Sequence, residues 1–362
     1  MDKIKRKETI PVKVGDVTIG GGAPVVIQSM TNTNITDLAA TSEQVNRLSA
    51  AGCELVRLAV PDQEAAQAFA KLAEKSPVPL IADIHFDVRL AYLVMEYGAA
   101  KVRINPGNIG GKEKLKKLAL HAEKLKVPIR IGVNAGSLEK KLLAKHGGVT
   151  AAALVESALG YLETLEETGF ARVVVSLKAS DVYTTICAYR LFSEKKSYPV
   201  HLGVTGAGPL QPGMIKGAIG IGALLSEGIG DTIRVSLTAN PVEEVRVARQ
   251  IIQALGLKKF FPELISCPTC GRCSVDLVGL VGEVEKILQN YNLPLKVAVM
   301  GCAVNGPGEA KEADLGISAG KKHGIVFSHG RVTRTVGLGN LLDALKEELE
   351  SLALQSDRKQ EG

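Results

Sequence analysis

Cys267 and Cys270 form a Cys-x-x-Cys pair inside Ser266-Cys267-Pro268-Thr269-Cys270-Gly271-Arg272. A second segment, Gly301-Cys302-Ala303-Val304-Asn305-Gly306-Pro307-Gly308-Glu309, adds a third thiol and then a carboxylate. Two thiolates spaced in this way can grip one metal centre from a single turn. Three sulfurs and one hard oxygen do not complete the closed four-ligand shell usual for structural zinc. They suit an iron–sulfur cluster with one iron left open to a substrate oxygen. A zinc knuckle, or a redox disulfide between Cys267 and Cys270, answers the same spacing, so the cysteines by themselves leave the choice open. Asn305 and the Gly306-Pro307-Gly308 turn set the chain direction between Cys302 and Glu309.

A second set of chemical residues emerges only when the chain is divided into elements. Strand-like stretches at Pro24–Met30, Glu54–Val60, Pro79–Ile84, Lys101–Asn105, Pro128–Asn134, Arg172–Lys178, Pro199–Thr205 and Thr232–Leu237 alternate with helical patterns. Among the latter are Thr41–Ala51, Asp62–Lys75, Val88–Tyr97, Ala151–Thr168 and Pro241–Leu255. Eight strand–helix repeats in about 250 residues predict a (β/α)8 TIM barrel. A doubly wound sheet is the alternative, but no G-x-G-x-x-G follows the first strand. A short hairpin-like segment, Val12–Gly20, precedes the barrel.

The C-terminal ends of barrel strands carry the active site in this architecture. Here those ends hold Arg57, Asp83, His85, Arg103, Asn105, Arg130, Asn134, Lys178, Thr205, Arg234 and Ser236. Residues i and i+2 of a strand share a face. Asp83/His85, Arg103/Asn105, Arg130/Asn134, Lys178 with Ser176, Thr205 with His201, and Arg234/Ser236 all keep that parity, so they point into the mouth. Cations from five strands would repel one another unless an anion sat between them. The expected ligand is a compact polyanion carrying two phosphates, each charge-assisted Arg bond contributing about 1.5–3 kcal/mol. Glycine turns at Asn105-Pro106-Gly107-Asn108 and Gly203-Val204-Thr205-Gly206-Ala207-Gly208 would add backbone N–H groups. His85 either donates to a phosphate or pairs with Asp83, while His201, deeper in its strand, reads as a core residue.

Composition narrows the classes. A chain of 362 residues exceeds one ordinary domain, and Leu257–Pro262 reads as a linker between residues 1–257 and a smaller α/β unit at 263–354. In that unit the cysteine loop leads to a helix at Val275–Gln289 and a strand at Leu295–Met300. Short strands follow near Leu315–Ser318, Gly324–Phe327 and Arg331–Val336, then a helix at Leu338–Leu352, with 355–362 expected as a disordered polar tail. Six cysteines in so long a chain do not form a disulfide framework. The charged start MDKIKRKETI and the lack of an apolar run of about 18 residues point to a cytoplasmic, reduced protein that does not engage a membrane. The net charge of +6 brings nucleic acid to mind, but lysine-rich stretches such as Lys112–Lys126 read as solvated helix faces, so no nucleic-acid partner is expected.

Together, a polyanion-binding barrel and an open-iron domain describe a reductase of a phosphorylated small molecule. The residues that carry a family resemblance run through nearly the whole chain. They are Gln28-Ser29-Met30-Thr31-Asn32-Thr33, Ala82-Asp83-Ile84-His85-Phe86-Asp87, Arg103-Ile104-Asn105-Pro106-Gly107-Asn108, Gly132-Val133-Asn134-Ala135-Gly136-Ser137-Leu138, Lys178-Ala179-Ser180-Asp181, Glu227-Gly228-Ile229-Gly230-Asp231 and both cysteine segments. With these the chain resembles the bacterial 4-hydroxy-3-methylbut-2-enyl diphosphate synthase family of the methylerythritol phosphate route. The resemblance implies a [4Fe–4S] cluster on Cys267, Cys270, Cys302 and Glu309. It implies the two-electron reductive opening of 2-C-methylerythritol 2,4-cyclodiphosphate, with ferredoxin or flavodoxin as donor and a homodimer as the working unit. Its diphosphate positions fall on Arg57, Arg103, Arg130, Asn134, Lys178, Thr205, Arg234 and Ser236.

Two departures stand out. Where the family reads Thr-Glu-Ala-Gly this chain reads Thr205-Gly206-Ala207-Gly208. The glutamate so lost belongs, with Glu309, to the family's catalytic centre, where it helps to deliver a proton to the leaving hydroxyl. Losing a general acid typically costs about 10²–10⁴ in rate. Cys273 is the other departure and reads as a free thiol; Cys53 and Cys187 read as packing residues. Two rival readings follow: a diphosphate-binding variant with impaired turnover, and a non-redox barrel enzyme of the dihydropteroate synthase type with a structural zinc domain.

Overall fold

The computed structural model describes residues 4–105, 107–273, 275–291, 293–302 and 310–360, the last six of these as backbone only. The chain forms two compact units, Met1–Lys258 and Lys259–Gly362, and the boundary falls within the segment read as a linker.

The first unit opens with a hairpin of β1 (Val12–Val14) and β2 (Val17–Ile19). Gly15, with φ +61°, takes the left-handed first turn position, and a side chain there would also press on Pro79. Then β3 (Val26–Met30), α1 (Leu38–Ala50), β4 (Leu55–Ala59), α2 (Gln63–Ala73), β5 (Leu80–Ile84), α3 (Val88–Glu96), β6 (Lys101–Ile104) and α4 (Lys112–Leu125) alternate. They continue as β7 (Ile129–Asn134), α5 (Lys140–His146), α6 (Ala151–Glu166), β8 (Val173–Lys178), α7 (Val182–Lys195), β9 (His201–Leu202), α8 (Leu210–Ser226), β10 (Thr232–Ile233) and α9 (Pro241–Ala254). All pairings among the eight barrel strands are parallel, in the order β8-β7-β6-β5-β4-β3-β10-β9. A parallel bridge between Val175 and Val200 closes β8 onto β9. The (β/α)8 expectation holds.

Local chemistry explains why the chain turns where it does. Asp37, Asp62, Asp87, Thr150, Asp181 and Asn240 each cap a following helix by accepting a backbone N–H. Strands β5, β6 and β8 are buried along their whole length, as strands covered on both faces must be. Val12, Val14 and Ile19 of the hairpin pack with Val26, Leu55, Ile81 and Val174, an apolar floor at the N-terminal ends of the strands. Asp231 ties the N-terminal segment down, accepting from Arg6 and Thr9 with Oδ1 and from the Val200 N–H with Oδ2.

Two details differ from expectation in this unit. Helix α5 is an extra element between β7 and α6. The ladders of β9 and β10 are two residues long, shorter than the runs Pro199–Thr205 and Thr232–Leu237. The ladder loosens where Gly203 passes against the Arg234 carbonyl and the Lys178 ammonium.

In the second unit β11 (Glu263–Ser266), α10 (Leu277–Leu288), β12 (Lys296–Met300), β13 (Leu315–Ala319), β14 (His323–Ser328), β15 (Arg331–Gly337) and α11 (Leu341–Gln360) build a five-stranded sheet with helices. β11, β12 and β13 are parallel; β14 and β15 return antiparallel. Leu277, Val284 and Leu288 of α10 and Leu341, Leu345 and Leu349 of α11 join Val297, Val299, Leu315 and Ile317 in one core. β11 was not foreseen. The expected tail at 355–362 is helical through Gln360, because no Gly or Pro interrupts the good helix formers that follow Leu341.

Candidate active site and metal centre

The barrel register puts Asp83 beside Arg103 and Arg103 beside Arg130 across β5, β6 and β7. Arg103 Nη1 donates to Asp83 Oδ1 at 2.9 Å and lies 3.2 Å from His85 Nε2. Arg57 Nε and His85 Nε2 each stand 3.5 Å from Asp83 Oδ2. One carboxylate is thus shared by two guanidiniums and an imidazole. Burial by itself would raise the Asp83 carboxyl, but Arg57, the His85 bond, Arg103 and Arg130 outweigh it and hold the group well below the usual carboxylate range.

A second carboxylate sits on the helix that follows the last strand. Glu244 of α9 receives Arg234 Nη2 and Nε, both at 3.0 Å, together with Ser29 Oγ at 2.8 Å and the Leu237 N–H at 3.1 Å. Met30 bridges the two groups: Arg57 Nε and Nη2 donate to its sulfur at 3.2 and 3.0 Å, and Arg234 Nη1 reaches it at 3.7 Å.

Charge does not balance. Arg57, Lys101, Arg103, Arg130, Lys178 and Arg234 bring six basic groups into the barrel interior, and among the described residues Asp83 and Glu244 are the carboxylates that answer them. Burial, followed by the neighbouring guanidiniums, lowers Arg57 to about 10 and pushes Arg130, Lys178 and Lys101 well below their ordinary values. Arg130 Nε and Nη1, Arg103 Nε and Lys101 Nζ are buried with no hydrogen-bond partner among the described residues. Buried donors in this state cost free energy unless a ligand satisfies them. The arrangement can bind and orient a polyanion.

Two glycines make room for these side chains. A Cβ at Gly132 would stand 2.6 Å from Arg103 Nε, and one at Gly203 would stand 2.5 Å from Lys178 Nζ and 2.6 Å from the Arg234 carbonyl oxygen. Gly206 differs. Its φ is +61°, and a Cβ there would meet only Ser180 Cβ, at 3.8 Å, so a longer side chain has space but a left-handed backbone.

The other expected residues sit at the rim. Asn105 is buried and donates to Ser137 Oγ at 2.6 Å. Asn134 ends β7, Thr205 donates its N–H to Ala179 O at 3.2 Å, and Ser236 lies two residues beyond Arg234, all three half-buried. His201 is fully buried, with Nδ1 3.4 Å from Thr232 Oγ1 and Nε2 without a partner among the described residues. Sequence reasoning missed Lys101 and Glu244. Lys101 shares strand parity with Arg103 and was legible on that ground; Glu244 reaches the mouth from a helix, which no strand periodicity reveals.

The cysteines occupy the corresponding edge of the second sheet. β11 ends at Ser266 and β12 at Met300, and the two strands pair in parallel with Ser266 opposite Val299. Cys267 and the Gly301-Cys302 pair therefore leave the same edge. The Gly301 N–H donates to Cys267 Sγ at 3.4 Å, and Ser318 Oγ of β13 holds the Cys302 carbonyl at 3.0 Å. Hydrogen bonds onto sulfur of this kind support cluster thiolates and tune their potential. Cys270 is exposed, and hydrogen bonds from the Arg272 backbone and side chain lower its thiol below the ordinary range. Cys273 faces Gly301, its Sγ 2.6 Å from where a Cβ would stand, and bonds to the Val275 carbonyl at 3.3 Å. Among the described residues no three His, Cys, Asp or Glu side chains gather closely enough to hold a metal ion. Glu309 and Asn305 lie outside the described residues. In donor type, and in the N–H directed at Cys267, the segments fit a thiolate-held cluster.

With this geometry in place the family can be read. The GcpE TIM-barrel domain matches residues 9–249, and the GcpE protein C-terminal domain matches 263–351. The chain belongs to the GcpE family. A relative from Caldanaerobacter subterraneus subsp. tengcongensis, a 4-hydroxy-3-methylbut-2-en-1-yl diphosphate synthase (flavodoxin), is 54% identical over 96% of this chain and 98% of its own. Proteins of the same name from Geobacter sulfurreducens and Lawsonia intracellularis are each 52% identical, over 96% and 98% of this chain and 98% and 99% of their own. As a member of this family, the chain is an enzyme of the oxidoreductase class. Among the described residues no helix is long and apolar enough to cross a membrane. Cys53 is buried, and burial drives its thiol up to about 12, in keeping with a packing role; Cys187 is half-buried.

Proposed function

We propose that the chain converts 2-C-methylerythritol 2,4-cyclodiphosphate to 4-hydroxy-3-methylbut-2-enyl diphosphate, with two electrons drawn from flavodoxin or ferredoxin. The observation that carries this reading is the surplus of buried, partly unpartnered cations in the barrel mouth. Arg57, Arg103, Arg130, Lys178 and Arg234 bind the two phosphates, and Arg130 Nε and Nη1 gain the acceptors they lack. Asp83 and Glu244 fix the guanidiniums in place before the ligand arrives, so that little reorganisation is needed on binding. Asn134, Thr205 and Ser236 hold the rim of the substrate, and Asn105, bonded to Ser137, orients the turn above β6.

Cys267, Cys270, Cys302 and Glu309 would hold a [4Fe–4S] cluster. When bound, it supplies single electrons and a Lewis-acidic iron for a substrate oxygen. The same reading takes the working unit to be a homodimer, which a mass measurement in solution checks.

The test is iron and sulfide analysis of anaerobically reconstituted protein, followed by turnover with the cyclodiphosphate. About four irons per chain and formation of the linear diphosphate are expected. A colourless protein that carries stoichiometric zinc, or none of either metal, overturns the redox assignment.

Gly206 favours a second reading, a variant that binds the diphosphate but turns it over slowly. The open space at Gly206 makes the question answerable. Gly206→Glu is expected to raise kcat by about 10²–10⁴ with KM little changed, at a cost of about 1–2 kcal/mol of stability for the left-handed backbone. An unchanged kcat shows that another proton source already serves.

A further inference from the structure

Lys101 opens β6 opposite Ile81, one of the floor residues contributed by the strands. Its side chain has no solvent exposure, and among the described residues Nζ has no hydrogen-bond partner. The charged groups of the surrounding strands are Arg57 on β4, Asp83 on β5, Arg103 on β6 itself, Arg130 on β7, Lys178 on β8, His201 on β9 and Arg234 after β10. Both carboxylates of the interior are engaged, Asp83 by Arg57, Arg103 and His85, and Glu244 by Arg234 and Ser29. Among the described residues nothing anionic is left for Lys101, and it shares the interior with Arg57 and Arg130. An ammonium held in this way sheds its proton more cheaply than it keeps it.

We propose that Lys101 is a proton-coupled positioning residue, uncharged while the mouth holds no anion and protonated when a polyanion enters. One N–H bond forms at Nζ with a proton taken from solvent, and no electrons move. The new charge draws the anion toward Arg130 and spares the empty barrel one repelling cation. Burial, Arg130 and Arg57 all act in the required direction on the free amine. The inference rests on the reading of the mouth as an anion site and adds a residue that the resemblance to the family did not supply.

Calorimetric titration in HEPES and in Tris at one pH reads the proton count, because their ionisation enthalpies differ. The cluster-loaded chain is titrated without reductant, first with the cyclodiphosphate and then with sulfate. Neither ligand gains or loses a proton near neutral pH. Lys178 and His201 are other groups whose charged forms burial disfavours, so the quantity of interest is the difference between the unaltered chain and Lys101→Met. An uptake smaller by close to one proton in K101M, with affinity weaker by about tenfold, is expected for both ligands. Equal uptake in the two proteins overturns the proposal. Sulfate that binds with the expected uptake while the cyclodiphosphate does not bind leaves Lys101 in its role and sinks the substrate assignment instead.

Ligand-free K101M is expected to melt at a higher temperature than the unaltered chain, because an orphan amine has been replaced by an apolar group of similar length. A lower melting temperature, or failure to fold, assigns the amine a structural bond and overturns the proposal. On the unaltered chain alone, sulfate affinity should fall as pH rises; a flat profile has the same adverse consequence.

Discussion

The barrel mouth and the cysteine edge are both built at the C-terminal ends of parallel strands, yet they are finished to very different degrees. In the mouth, long cationic side chains sit within the strands themselves, buried, in register and braced by Asp83, Glu244 and Met30. At the cysteine edge, short side chains lie just past the strand ends. They are half-buried or exposed, and few hydrogen bonds hold them. The fold builds the first site against mutual repulsion, which on the proposed reading an anionic ligand would relieve. The second has Cys267 and Cys302 delivered to one edge, with no metal-holding cluster of side chains gathered among the described residues; on the proposed reading, metal binding there would be coupled to the last step of folding.

The contrast is most sharply broken at a thiol. Cys302→Ala removes one of the donors carried by the second segment, and iron content should fall from about four per chain to near zero with loss of measurable turnover. Binding of the cyclodiphosphate by the barrel should persist, measured by calorimetry. Loss of binding together with the iron would mean that the two sites are not separately built.

Next in size is Asp83→Asn. Breaking a shared buried ion pair leaves Arg57 and Arg103 uncompensated and should cost about 3–5 kcal/mol in chemical denaturation without ligand, partly restored by sulfate. The sign of its pH dependence follows from the depressed carboxyl. The folded chain keeps Asp83 ionised where an unfolded Asp, near 3.9, begins to take up a proton. Its contribution is therefore fully present above about pH 4 and is lost as pH falls below it, so the stability gap between the unaltered chain and D83N should narrow in acid. A gap that is constant with pH would remove the ion pair from the account.

A smaller effect is expected from Gly132→Ala, which pushes a methyl toward Arg103 Nε. KM for the cyclodiphosphate should rise by about tenfold while the iron content stays unchanged. The smallest is Cys273→Ser. If Cys273 is a thiol beside the centre and not a donor to it, iron stoichiometry is unaltered and stability shifts by no more than about 1 kcal/mol. Loss of iron in C273S would redraw the donor set.

Much of the mouth was legible along the chain because strand parity is a local property. Arg103 and Asn105, or Arg130 and Asn134, declare a common face by their spacing alone, and the βα period names the barrel. Lys101 obeys the same rule and went unread only because it begins its strand. Glu244 obeys no such rule: it lies in the first turn of α9, which packs against β3, and from there it meets Ser29 of β3 and Arg234 beyond β10. The hairpin's place on the barrel floor is equally silent in sequence, since Val12, Val14 and Ile19 show apolar alternation but not what they cover. β11 escaped notice because a four-residue edge strand, half-exposed, has too few residues to show a period.

By itself the sequence determined the alternation of strands and helices, the inward parity of the arginines, and the donor types available to a metal, because each follows from neighbours in the chain. Only the tertiary structure decided which carboxylate answers which guanidinium, that Lys101 has none, and that Cys267 and Cys302 leave one edge of one sheet. Those outcomes depend on the lateral register of strands far apart in sequence, and register is set by packing across the whole sheet and not by any single segment.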